Sequence, residues 1–339
     1  MTDFYNLTPD QQSERYQQLA ELVLPEWGLK GASLSMIKMR ENAVFKVELD
    51  DGSKQIIRIH RAGYHSDDAL RSELQWIQAL ASAGIETPDV IPTKSGELFI
   101  APDSTLAGLP RQIDMFAWVD GQQLGSVEQG LDGDLATQEN NFRTIGLLTA
   151  QVHNQATKWR APAGFIRHAW DVDGLTGEHP FWGRFWELDA LSQSQSSMMI
   201  KIRDRVRLDL IAYGQSPKNY SMIHADIVPE NVLVDGEHIR LIDFDDAGYG
   251  WHLFEMATSL YLSSGEDYFN KIIDPYVEGY RSQRGLSEED LNALPIFMMA
   301  RACTYLGWVH TRSETETAQE LTPILIDMAF ATAEDYMSR

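Results

Sequence analysis

The chain has 339 residues, 43% of them hydrophobic, and a formal charge of −22 at pH 7. Such a length closes a real core over one or two domains, and such acidity excludes a nucleic-acid or anionic-membrane surface, which needs basic side chains to displace counterions. The single cysteine, Cys303, excludes an intramolecular disulfide, and apolar stretches such as 293–300 are too short to cross a bilayer.

No N-terminal run resembles a signal peptide, so the expectation is a soluble protein of a reducing cytoplasm. Thr8, Pro9 and Gln11 make a capping start for a helix to about residue 24, with Tyr16, Leu19, Ala20 and Val23 on its apolar side. Between 32 and 60 apolar residues alternate in short runs, and Asp51-Gly52 separates 43–49 from 55–60 as a β-hairpin. After Ser66-Asp67 the spacing of Leu70, Leu74, Ile77 and Leu80 predicts one amphipathic helix ending at Gly84. Strand-like runs follow at 97–101 and 111–119, and Asp120-Gly121 marks the end of this region.

Beyond it the pattern turns helical. Phe142, Ile145, Leu148 and Val152 line a helix ending near His153, and strand character returns only at 232–242. From 253 to 336 helical spacing repeats, interrupted by Gly285, Pro295 and Pro323. There is neither a low-complexity segment nor an internal repeat.

The chemistry is concentrated in His224-Ala225-Asp226-Ile227-Val228-Pro229-Glu230-Asn231, followed by Leu241-Ile242-Asp243-Phe244-Asp245-Asp246. Asp235-Gly236 is a turn signal between two apolar runs, which puts Asn231 and Asp243 at the open end of one hairpin. A carboxylate and an amide oxygen converging there suit Mg²⁺, a hard cation that takes oxygen ligands. Phosphoryl transfer needs such a metal site and a separate carboxylate for the attacking hydroxyl, here Asp226. The alternative is an acidic surface turn in which Asp226 is only a cap.

The pattern H-x-D-x-x-x-x-N followed by hydrophobic-D-F resembles the catalytic and metal-binding loops of the protein-kinase-like superfamily. Within it the chain is most similar to the aminoglycoside phosphotransferase, choline kinase and homoserine kinase branch. The resemblance implies an α+β fold of two lobes: 1–118, a nucleotide-binding lobe with an antiparallel sheet of five strands and one main helix, and 119–339, a mostly helical catalytic and substrate-binding lobe. It implies ATP and Mg²⁺, Asp226 as base, and Asn231 with Asp243 as metal ligands.

A kinase-like small lobe also needs a strand cation paired with a helix carboxylate. Arg58 lies mid-strand in Ile56-Ile57-Arg58-Ile59, and Glu73 falls on the inward face of the helix, where a carboxylate is costly unless paired. Arg58 is thus the expected partner and phosphate ligand, in place of the lysine of protein kinases; the competing reading is an ordinary salt bridge. No G-x-G-x-x-G loop is present, so 36–42 would have to cover the phosphates through backbone N–H groups, with Lys38 and Arg40 as solvated charges. The segment Met115-Phe116-Ala117-Trp118 resembles the hinge at the adenine, with Phe116 and Trp118 as cofactor-binding aromatics or as core.

His153 and His224 are expected as scaffold histidines, and Asp245 and Asp246 as local caps, a second metal site or an amine site. Ala225 and Val228 replace the charged residues of protein kinases, and 248–257, read as helix-like, leaves no room for an activation segment. Glu255 stands where the branch often carries an aspartate bracing the catalytic loop. Between 164 and 188, Phe165, Trp170, Phe181, Trp182, Phe185 and Trp186 alternate with Asp171, Asp173, Glu178 and Glu187, either to enclose an amine or to form a local core. The expected activity is transfer to a hydroxyl of a small amine-bearing metabolite or aminoglycoside; an atypical serine/threonine kinase and a nucleotide-binding pseudokinase are the rivals.

Overall fold

The computed structural model describes residues 4–39, 42–126, 130–131 and 133–339, which fall into two compact units. The first is Met1–Asp120 with Ala161–Ile166, the second Gly121–Arg160 with Arg167–Arg339.

In the first unit, helix α1 (Pro9–Val23) begins on a capping box in which Thr8 and Gln11 satisfy each other's free N–H. Strands β1 (Ser33–Met39), β2 (Ala43–Glu48) and β3 (Lys54–Ile59) form a meander, and Gly52, at φ +82°, closes the β2–β3 turn. Ser66 caps helix α2 (Asp67–Ser82). Strands β4 (Phe99–Ile100) and β5 (Ile113–Ala117) complete an antiparallel five-stranded sheet of order β1-β2-β3-β5-β4. Both are shorter than the apolar runs 97–101 and 111–119. Of the segment 36–42, Arg40 and Glu41 lie outside the described residues.

The sheet has two chemically different faces. Phe45, Val47, Ile57, Ile59, Ile113 and Met115 share a core with Tyr16, Leu19 and Val23 of α1. Because side chains alternate along a strand, Arg58, Asp114 and Phe116 belong to the other face, in pairs Arg58↔Asp114 and Ile56↔Phe116.

The second unit opens with short strands β6 (Gln122–Gln123), β7 (Gly125–Ser126) and β8 (Gly130–Leu131), then helix α3 (Leu135–Lys158), capped by Asp134. This helix passes five residues beyond its expected end at His153. Next come β9 (Ala169–Trp170), α4 (Val172–Thr176), α5 (Gln193–Tyr213), β10 (Tyr220–Ile223), β11 (Val232–Asp235), β12 (His238–Leu241) and β13 (Gly248–Trp251). Helices α6 (His252–Tyr261), α7 (Phe269–Gln283), α8 (Glu288–Leu291), α9 (Leu294–Thr311) and α10 (Glu316–Ser338) follow.

Three departures from the sequence reading have physical causes. Strands β10, β13 and β9 form a sheet that was not expected, and Gly248–Trp251 is strand rather than helix. Its glycines permit close approach: a methyl on Gly250 would overlap the Ile223 side chain, and one on Gly248 would lie 2.8 Å from the His168 carbonyl. Pro323 sits inside α10 without ending it, since Leu321, Leu325, Ile326, Ala329 and Ala333 are buried and outweigh a proline cost of about 3 kcal/mol. Helices α3 and α7 are in such close contact that a methyl on Gly146 would overlap the Tyr276 carbonyl, and one on Gly279 that of Arg143.

Candidate active site

The second unit gathers the expected catalytic loop. Strand β10 ends at Ile223; the chain crosses His224–Asp226, makes a 3-10 turn at Pro229–Asn231 and enters the β11–β12 hairpin. Ala225 (φ 64°) and Asp243 (φ 62°) are the non-glycine residues in the left-handed region among the described residues. Each such residue costs on the order of 1–3 kcal/mol and persists only where its surroundings over-determine it.

The Asn231 Nδ2 donates to the Asp226 carboxylate at 2.6 Å and to the Asp226 carbonyl at 3.0 Å. These two bonds engage the amide nitrogen of Asn231. The Ile242 N–H donates to the Asn231 carbonyl at 3.0 Å, continuing the hairpin register to the residue before Asp243, whose side chain is exposed. Asp226, Asn231 and Asp243 are thus positioned by one loop and the ribbon it leads into.

The loop is fastened from below. The Glu255 carboxylate, fully buried on α6, accepts the His224 N–H at 2.5 Å and the Ala225 N–H at 2.9 Å. The longer side chain therefore reaches the loop. Burial pushes the Glu255 carboxyl up to about 7, with His224 and the two amides opposing. His224 ties the loop to the hairpin: its Nδ1 accepts the Asp226 N–H at 3.3 Å and its Nε2 donates to the Ile242 carbonyl at 3.1 Å. Burial lowers its pKa, which suits this neutral tautomer. His153 is fully buried, bonded to Tyr280 at 2.9 Å and stacked on His252 at 4.1 Å; burial and Arg284 hold it well below the usual histidine range.

Arg301 of α9 reaches the same loop. Its Nη2 lies 3.1 Å from Asp226 Oδ1 and its Nη1 donates to the Ala225 carbonyl at 3.2 Å. Sequence reasoning missed it, although an arginine inside the apolar run of α9 is costly to bury unpaired and so signals a partner. Arg167 is a second omission, donating to the Asp245 and Ala247 carbonyls and fixing the chain after Asp243.

Asp245 is buried, and Asp246 accepts the Trp182 indole N–H at 3.3 Å while its carbonyl accepts that of Trp170 at 2.9 Å. Of the aromatic stretch, Trp170, Trp182, Phe185 and Trp186 are core residues. Asp171 caps α4, Asp173 pairs with Arg207 at 2.8 Å and Glu187 with Arg184 at 3.0 Å.

In the first unit the Arg58–Glu73 pair is present at 2.8 Å, and both side chains are buried. Asp114, which the sequence reading did not single out, takes Arg58 in a fork at 2.7 and 3.1 Å and His60 at 2.9 Å. Burial alone would raise the Asp114 carboxyl, but Arg58 and His60 hold it below its usual value. Phe116 lies under the Arg58 guanidinium, 5.0 Å from carbon to ring centre. Trp118 is placed apart from this cluster, bonded to Asp120 at 2.8 Å and facing Lys54.

No helix among the described residues is long and apolar enough to cross a membrane. The family model of the Phosphotransferase enzyme family matches residues 38–291. Among solved structures, the microcompartment-associated aminopropanol kinase is 29% identical, covers 95% of this chain and 98% of its own, and superposes with a TM-score of 0.82. Amicoumacin kinase hAmiN, solved with AMP-PNP, Ca²⁺ and Ami, is 18% identical with a TM-score of 0.76 over 95% of this chain and 96% of its own. The homoserine kinase of Sinorhizobium fredii (strain NBRC 101917 / NGR234) is 24% identical over 78% of this chain and 74% of its own. With the sheet and helices described above, a family match over well more than half its length and these neighbours, the chain belongs to the phosphotransferase enzyme family and is a phosphotransferase of protein-kinase-like fold.

Proposed function

We propose that the protein transfers the terminal phosphoryl group of ATP to the hydroxyl of a small amine-bearing acceptor, with Asp226 as base. The observation that carries this is the contact of Asn231 with Asp226: one amide spends its nitrogen on the base and keeps its oxygen for a metal. Asn231 and Asp243 would hold a divalent ion, Mg²⁺ in this reading, and the two oxygen donors fit a hard cation. Bound there with ATP, the ion supplies charge neutralisation on the phosphates. Asp226, about one-fifth exposed, is open to a hydroxyl; its carboxylate takes the hydroxyl proton as the oxygen attacks phosphorus and ADP departs.

Arg58 would meet the phosphates from its position on β3, held in one rotamer by Asp114 and Glu73. Phe116 and Trp118 remain the proposed aromatic neighbours of the nucleotide. Aminopropanol and homoserine, which the names of two relatives give, each join an amine to a hydroxyl. That class of small-molecule acceptor is what the comparison supports.

The test is ADP release from Mg-ATP across a panel of amino alcohols, hydroxyamino acids and aminoglycosides, for the native chain and Asp226→Ala. Acceptor-dependent turnover that disappears in Asp226→Ala, with nucleotide binding retained, is expected. Equal turnover in the two proteins would refute the base.

A further inference from the structure

Ala225 holds a left-handed backbone conformation that alanine does not choose, and two helices grip it from its two ends. Its N–H is taken by Glu255 of α6 at 2.9 Å and its carbonyl by Arg301 of α9 at 3.2 Å. The same guanidinium continues to Asp226 Oδ1 at 3.1 Å, while the Asn231 amide takes Oδ2 at 2.6 Å. Both oxygens of one carboxylate are therefore held, each by a different element. Arg301 itself has little freedom. Its side chain is fully buried, Tyr305 takes a further hydrogen bond at 3.2 Å, and the rings of Tyr305 and Trp182 lie 4.4 and 4.8 Å from its central carbon.

A buried guanidinium kept only for packing has no need of the catalytic loop, and one buried without partners is costly. Here its partners are the strained residue and the carboxylate that follows it. We infer that Arg301 is a positioning residue for phosphoryl transfer: with Asn231 it sets the single orientation in which Asp226 meets the acceptor hydroxyl. The inference rests on Asp226 being the base. It assigns to α9 a share in the reaction, exerted through Asp226 without contact with the transferred group. An aspartate free to rotate presents its lone pairs in several directions, and a misplacement near 1 Å costs about 100-fold in rate.

The experiment compares full-length Arg301→Met, Arg301→Lys, Tyr305→Phe and Asp226→Ala by kcat, by KM for nucleotide and by thermal unfolding. Arg301→Met is expected to lose about 100-fold in kcat with nucleotide KM nearly unchanged, and Arg301→Lys to recover part of it, because an ammonium still reaches one oxygen. A role in packing alone would lower the unfolding temperature and leave kcat of the folded protein alone. Folded Arg301→Met with native kcat overturns the inference. Should that variant not fold, Tyr305→Phe decides. It keeps the ring and removes the hydroxyl that shares Nη2 with Asp226, so a several-fold loss of kcat at unchanged stability supports the inference and native kcat overturns it. Turnover surviving in Asp226→Ala would instead remove the base assignment, whatever Arg301 does.

Discussion

Substituting Glu255 tests how the catalytic loop is held. Alanine there removes the acceptor from two buried amides, at 2.5 Å and 2.9 Å, and each donor left unsatisfied costs about 1–3 kcal/mol, so the loss is about 2–6 kcal/mol. Against it stands the burial of the carboxyl, which moves its pKa from 4.5 to about 7, worth about 3 kcal/mol once the group is ionised. The pKa is raised in the folded state, so the contribution of Glu255 is complete below the unfolded value and is lost as pH rises through the folded one. The stability gap between native chain and Glu255→Ala should be widest near about pH 4, below the unfolded pKa, and narrow by up to about 3 kcal/mol by about pH 8. Urea unfolding across that range, with kcat measured alongside, reads both effects. A gap near zero at the acid end would refute the clamp, and a gap that widens with pH would refute burial as the dominant influence on this carboxyl.

Asp243→Ala should abolish metal-dependent nucleotide binding, measured by titration with and without Mg²⁺, while Asp226→Ala keeps it; retention in both would remove Asp243 from the metal site. Arg58→Met should raise KM for nucleotide and destabilise the first unit by about 3–5 kcal/mol, since the buried carboxylates of Asp114 and Glu73 both lose the guanidinium they share. A denaturation midpoint equal to the native one would contradict that. Gly146→Ala should cost about 2 kcal/mol or more, because the added carbon meets a backbone carbonyl of α7 that cannot swing aside as a side chain can. Thermal unfolding checks it, and an unchanged midpoint would mean that the helices separate freely.

What the sequence made legible was local. The hairpin 232–241 follows from Asp235-Gly236 between apolar runs, and the capped starts of α1 and α2 from Thr8 and Ser66. Glu73 announced its pairing because a carboxylate on an apolar helix face requires a cation, and Arg58 was the cation available. Asp114 did not announce itself: its meaning depends on standing opposite Arg58 across β3 and β5, a register set by residues far apart in the chain. Arg301, just beyond the apolar stretch 293–300, takes its meaning from a carboxylate 75 residues earlier in the chain. Sheet β10-β13-β9 was hidden for the same reason. Its strands come from three distant segments, and Gly-Tyr-Gly-Trp carries weak strand propensity until Ile223 and His168 are seen to lie against the glycines.

The two-faced sheet of the first unit limits how this chain can change in length. Adding or deleting one residue within β3 would turn Arg58 toward the side occupied by Leu19 and Val23 and bring an isoleucine before Glu73 and Asp114, stranding two carboxylates at once. The same change in the turn at 49–53 leaves both faces as they are. Loop-length variants built at that turn should therefore retain nucleotide handling, whereas single-residue indels a few positions further along should not survive selection.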